Sequence, residues 1–159
     1  MKRGIMFFLA ICLALIFGGC ATYHQNMIND GSHIVDCNSW GQGCMGIATA
    51  QKILKDCIVR YEELGYLKIE EYGVIGVKFM TGGSAEVVKV AKSSPAEKEG
   101  IQVGDVFVSV NGYEVENANE VVVQSFCKAG KVNNYEIQRN GERLHFSITT
   151  IPYTNLSSE

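Results

Sequence analysis

The chain has no surplus of basic charge, with 14 Lys and Arg against 17 Asp and Glu. Nucleic-acid binding needs a positive face to neutralise phosphates, so that class is set aside. No close C-x-x-C pair occurs, and His24, His33 and His145 are scattered, so no zinc ligand set is assembled and neither metal nor cofactor is expected. A G-x-S-x-G string is missing too, and with it the turn that lifts a serine nucleophile toward a base and an orienting carboxylate. Cys127 and His145 are the one conceivable Cys–His pair, but no motif supports them and no catalytic residue is assigned. Finally, no apolar run reaches the roughly 20 residues that span a membrane.

What the N-terminus does have is Met1-Lys2-Arg3, then an almost wholly apolar stretch from Ile5 to Phe17, then Gly18-Gly19-Cys20. A basic start, a short apolar core and small residues at its end make a signal peptide over residues 1–19. The junction Phe17-Gly18-Gly19-Cys20 resembles the lipobox of bacterial lipoproteins, which implies cleavage before Cys20 and lipidation of its thiol. Several acyl chains, at about 0.8 kcal/mol per buried CH₂, give a permanent anchor. By the same resemblance, Ala21 after the cysteine implies the outer membrane, facing the periplasm, where the cell has one. The mature chain is mildly acidic once Lys2 and Arg3 are removed. It has the length of one domain and a little more, which leaves no room for a catalytic domain of ordinary size.

Residues 21–36 are polar, lack periodicity and carry Asn29-Asp30-Gly31, so they read as a tether, which with the glycine-rich loop that follows extends over residues 20–45. Gly41-Gln42-Gly43-Cys44-Met45-Gly46 matches the G-x-G-x-x-G string of nucleotide sites, but no buried strand precedes it. Its glycines are read instead as permitting a close backbone approach. Ile47, Ile53, Leu54, Cys57, Ile58, Tyr61 and Leu64 then follow helical spacing up to Gly65, predicting an amphipathic helix over 46–65. Beyond it come short β-like runs at 66–70, 74–80, 86–91, 105–110, 134–139 and 144–150, separated by turn signals such as Asn111-Gly112 and Asn140-Gly141. A second helix is predicted over 118–128, capped by Asn117 or Asn119 and ending before Gly130.

The stretch from Ser94-Pro95 through Gly100, Gly104-Asp105 and Asn111-Gly112, with Arg139-Asn140-Gly141-Glu142 further on, resembles the PDZ domains of bacterial envelope serine proteases. That resemblance covers 66–153 and leaves 154–159 as a flexible tail. It implies an α+β fold: a partly open β-barrel of five to six strands with two short helices, preceded by the N-terminal helix. It also implies a site, because such domains add an extended peptide as a strand and capture its carboxylate with backbone amides. The apolar-Gly-apolar signature of the capturing loop falls on Val74-Ile75-Gly76-Val77, placing the donors at Ile75, Gly76 and Val77. The peptide's last side chain would enter between Ile75, Val77 and Phe79 and the helix at Val122 and Phe126.

The mature part keeps four cysteines, Cys37, Cys44, Cys57 and Cys127, an even number that allows three pairings in an oxidising compartment. Similarity to other small lipoproteins with a Gly-rich prelude implies Cys37 with Cys57, clamping the entry loop onto the first helix. Cys44 and Cys127 then pair or stay as buried thiols. The expectation is a non-enzymatic, membrane-anchored adaptor of the cell envelope. Its partners would be C-terminal or unfolded segments of envelope proteins, an envelope protease or a secretion component. The alternatives are a structural lipoprotein that uses the fold for assembly, and a thiol or metal role for the cysteines.

Overall fold

The computed structural model describes residues 20–29, 33–80 and 83–156, so the signal-peptide reading of 1–19 lies outside it. The described residues form two compact units, one of 20–27 and 35–65, the other of 28–29, 33–34, 66–80 and 83–156.

Where the sequence suggested a tether, the chain forms strands β1 (Cys20–Asn29) and β2 (His33–Gln42), neighbours in one sheet. The short connection between them cannot make a parallel crossover, so they run antiparallel. Along β2 the more covered residues Val35, Cys37, Ser39 and Gly41 alternate with exposed Asp36, Asn38, Trp40 and Gln42. Helix α1 (Gly43–Glu63) follows directly. Ser39 Oγ donates to the Ala50 carbonyl at 2.7 Å, and Gln51 Nε2 donates to Tyr23 Oη at 3.1 Å. The hairpin reads as polar in the sequence because most of the outward side chains of β2, Asp36, Asn38 and Gln42 among them, are polar, with Trp40 an apolar exception on that face.

Glycines permit the turn from β2 into α1, since a Cβ on Gly41 would lie 2.1 Å from the Gly46 carbonyl oxygen. Cys37 and Cys57 are disulfide-bonded with Cα atoms 5.9 Å apart, whereas Cys44 is an exposed free thiol and Cys127 a half-buried one. The helix starts three residues before its predicted onset, and of the predicted apolar face Ile47, Leu54, Cys57, Ile58 and Tyr61 are half-buried. Ala50 is its buried residue, while Ile53 and Leu64 are exposed.

In the second unit, β3 (Leu67–Lys68) stops early and residues 69–71 form a 3₁₀ turn, shortening the strand expected over 66–70. The strand expected over 74–80 is broken into β4 (Gly73–Val74) and β5 (Val77–Phe79). β6 (Val87–Val90) pairs with β5, and helix α2 (Pro95–Lys98) follows under a Ser94 cap whose Oγ accepts from the Glu97 amide. β7 (Val106–Val110) and β8 (Tyr113–Glu114) turn at Asn111-Gly112, both with positive φ, as a two-residue hairpin with the strands' twist requires. Helix α3 (Ala118–Ser125) is capped by Asn117. β9 (Val132–Arg139) and β10 (Glu142–Thr149) turn at Asn140-Gly141, and β11 (Ile151–Pro152) closes back on β4.

β10, β9, β7 and β8 form a sheet in that order, beside the separate pairs β5–β6 and β4–β11, so the barrel is open. Phe107 sits at the centre of the core, meeting Phe79 and Tyr135 edge-on with ring centroids 5.3 Å apart in each case. Val87, Val110, Val121, Ile137 and Ile148 surround it, each buried side chain stabilising the fold by about 1.5–3 kcal/mol.

Candidate functional site

The break between β4 and β5 is made by Gly76, whose φ of +86° a side chain would strain. Close packing adds to the requirement, because a Cβ there would lie 2.4 Å from Ser94 Cβ. On either side of the glycine the carbonyls are taken: Ile75 C=O accepts from the Ala96 amide at 2.9 Å and Gly76 C=O from the Ala91 amide at 2.8 Å. In a trans peptide the next N–H points opposite to the carbonyl. The amides of Gly76 and Val77 are therefore turned away from Ala96 and Ala91.

Val77 opposes Val90, and the Ala91–Gly76 bond beside this pair marks it as a non-hydrogen-bonded one. The N–H and C=O of Val77 consequently face the other edge of β5, which has no strand partner among the described residues. Against that edge lies a cavity of about 160 Å³, walled by Ile75, Gly76, Val77 and Phe79 and by α3 through Val121, Val122 and Ser125.

The structure thus brings Ile75, Gly76, Val77, Phe79 and Val122 around one cavity, but Phe126 is not among its walls. Placing Val122 and Phe126 on one face assumed a helix running to Lys128. The helix ends at Ser125, Phe126 turns to an extended conformation, and its ring stacks on Tyr72 at 5.5 Å. Ser125 takes its place in the wall.

Two wall residues, Tyr153 and Leu156, come from the C-terminal segment, of which 154–159 read as a flexible tail. Tyr153 N–H donates to the Tyr72 carbonyl at 2.8 Å, its ring stacks on that of Tyr72 at 6.5 Å, and a 3₁₀ turn over Tyr153–Asn155 carries the chain on to Leu156. Leu156 Cδ2 lies 3.1 Å from where a Gly76 Cβ would stand. An aromatic and a leucine within an otherwise polar ending were the only sequence signal for this.

The conceivable Cys127–His145 pair is not formed. Cys127 Sγ lies 3.7 Å from Thr150 Oγ1 and accepts from Asn133 Nδ2 at 3.6 Å, while His145 is exposed on β10 opposite Glu136. Among the described residues, no group of three His, Cys, Asp or Glu stands close enough to hold a metal ion.

Beside the cavity, Lys128 Nζ lies 3.0 Å from Glu71 Oε2, and this ammonium, with Lys68 behind it, holds the Glu71 carboxyl below its ordinary range. A carboxylate whose pKa is lowered on folding adds stability above its unfolded pKa and loses it as pH falls through the folded value. The pair is partly exposed, so the effect is small, about 1 kcal/mol or less. Urea unfolding of Glu71→Gln is expected to show that deficit at pH 7 and none once the pH is below the carboxylate range.

Residues 73–150 match the PDZ domain family model. The chain carries a PDZ domain. Its sequence is like part of a DegP-like protease. Over 66 residues it is 38% identical to the zinc metalloprotease RasP of Shouchella clausii, covering 42% of this chain and 16% of that protein. Over 66 residues it is 41% identical to a protein of Pseudomonas putida named "Probable periplasmic serine endoprotease DegP-like", covering 41% of this chain and 14% of that one. The chain therefore spans less than a fifth of the length of either curated relative. Among solved structures, the PDZ domain of HtrA3 bound to a phage-derived ligand (FGRWV) is 26% identical, covers 49% of this chain and 84% of that one, and superposes with a TM-score of 0.42. The HtrA-type protease AlgW with decapeptide is 20% identical, with coverages of 51% and 29% and a TM-score of 0.44.

Proposed function

We propose that the chain is a membrane-anchored adaptor whose PDZ domain takes up the C-terminal or extended segments of envelope proteins as an added strand on β5. The observation that carries this reading is the β5 edge that has no strand partner among the described residues, with the Gly76 and Val77 amides turned away from Ala96 and Ala91 beside an apolar cavity. A ligand strand would pair with Val77–Phe79, its carboxylate would meet the amides of the Ile75-Gly76-Val77 loop, and its last side chain would fill the cavity. A void of about 150 Å³ holds a benzene-sized group, so valine, leucine or isoleucine is the fitting last residue. The anchor is acylated Cys20, the first residue of β1, and the location is the cell envelope. The name of the Pseudomonas putida relative, a periplasmic endoprotease, agrees with it.

The test is binding of a C-terminal peptide library to the chain from Cys20 onward, with amidated copies as controls. Hydrogen bonds to a charged group are worth about 1.5–3 kcal/mol, so amidation is expected to weaken binding roughly 10- to 100-fold. Leu156→Ala opens one wall and is expected to shift preference from aliphatic toward aromatic last residues. Equal binding of free and amidated peptides would remove carboxylate capture. No binding of either would leave the fold as a surface for assembly with a folded partner.

A further inference from the structure

One end of the first unit presents apolar side chains to solvent: Met45 is 86% exposed, Trp40 69% and Ile53 52%. Met45, Thr49 and Ile53 stand at i, i+4 and i+8 on α1 and so form one stripe along the helix. Trp40, from the exposed face of β2, lies beside that stripe, and the shallow hollow between them also involves Gln42 and Gly46. None of these side chains is ionisable.

This face is at the Cys20 end of the unit. In the antiparallel hairpin the start of β1 and the end of β2 are neighbours, and the Gln51–Tyr23 bond independently ties the early part of α1 to β1 just past Cys20. The contact between Gly41 and Gly46 holds the end of β2 against the first turn of α1, which keeps Trp40 and Met45 together. The chain reaches Cys20 from the apolar stretch Ile5 to Phe17. On the anchor reading above, residue 20 starts at the bilayer surface.

We propose that this face is a second lipid contact, in which Trp40, Met45 and Ile53 enter the interface of the membrane that holds Cys20; the proposal rests on the anchor reading above. Tryptophan favours the headgroup level of a bilayer, with its ring in the apolar boundary and its N–H in the wet layer. A helix with one apolar stripe lies in the plane of that boundary rather than across it. With no charge in the stripe, the contact needs neither anionic lipid nor low salt. Its effect is orientation, since an acyl chain at one point leaves the first unit free to swivel and a second contact fixes its tilt.

Trp40 is the sole tryptophan of the chain, so its fluorescence reports this contact without labelling. The full chain, produced in a bacterial host and reconstituted into phosphatidylcholine vesicles, is compared in plain and bromine-labelled lipid, with vesicle flotation as a separate measure of anchoring. The expected result is blue-shifted Trp40 emission that loses most of its intensity in brominated lipid, unchanged by high salt. Met45→Asp and Ile53→Asp, both at exposed positions that leave the fold intact, are expected to restore it while the protein still floats. Unquenched Trp40 on a chain that floats would overturn the second contact and leave the anchor standing. A chain that does not float would remove the anchor reading, and the second contact falls with it unless quenching persists. Quenching that both aspartate variants retain would also overturn the proposal.

Discussion

Arg139→Met is expected to destabilise the PDZ domain by about 2–3 kcal/mol, because it takes the partner from a buried carboxylate while the guanidinium itself is partly exposed. Asp105 is 1% exposed, and its Oδ1 accepts from Arg139 Nε at 2.6 Å. Its Oδ2 accepts from Arg139 Nη2 at 2.7 Å and from the Gln102 amide at 2.8 Å. Arg139 Nη2 also donates to the Gly100 carbonyl at 2.8 Å, so one guanidinium pins both ends of the loop between α2 and β7. Removing it leaves a carboxylate in the interior without its counter-charge. Urea unfolding followed by tyrosine fluorescence measures the loss, and Asp105→Asn in the Arg139→Met background is expected to recover part of it, because the orphaned charge is then gone. The same loop precedes the strand that pairs with β9, and α2 at its start supplies the Ala96 amide that holds the Ile75 carbonyl. Peptide binding is expected to weaken more than the loss of folded protein accounts for.

Replacing both Cys37 and Cys57 by serine is expected to cost the first unit about 3 kcal/mol, since the bond closes a loop with a sequence separation of 20. Ala50 is the fully buried residue of α1, and the Ser39–Ala50 and Gln51–Tyr23 hydrogen bonds and the Gly41–Gly46 approach tie the early part of the helix to the hairpin, while the disulfide ties its later part. Most of a helix's stability in a protein comes from tertiary packing. Trp40 reports the first unit and the Phe107–Tyr135 core reports the second, so the two transitions can be followed separately. The variant is expected to lose helical circular dichroism at a lower urea concentration than wild type, with the PDZ transition unmoved. Loss of both together would show that the units unfold as one.

The parts of this structure that were legible in the sequence are those decided by local chemistry. Asn111-Gly112 and Asn140-Gly141 make the two hairpins because their positive φ values suit those residues, and Ser94-Pro95 opens α2 because a hydroxyl cap and a fixed φ belong at a helix start. Asn117 caps α3 for the same reason, its Oδ1 accepting from the Glu120 amide at 3.1 Å. The break at Gly76 was visible as a motif but not as a break, because β-branched and apolar neighbours on both sides suggest one continuous strand. Phe126 was misplaced because a helical period was extended past the point where the backbone leaves the helix. Leu156 and Tyr153 were missed because they reach the cavity through tertiary packing, which no local spacing encodes. The hairpin of β1 and β2 was missed for a different reason: polar Asp36, Asn38 and Gln42 alternate along β2 with small Ser39 and Gly41, so its sequence has the polarity of a linker.

The pairing of β4 with β11 sets Val74 opposite Ile151 and Gly73 opposite Pro152. The chain therefore enters and leaves the domain through adjacent strands, about 5 Å apart as neighbours in a sheet are. A module whose doorway and exit coincide can be spliced into a surface loop of a host without prising that loop open, and its own sheet stays whole when it is. Such a cassette can travel between otherwise unrelated proteins, in agreement with its match to a small fraction of two proteases of different chemistry.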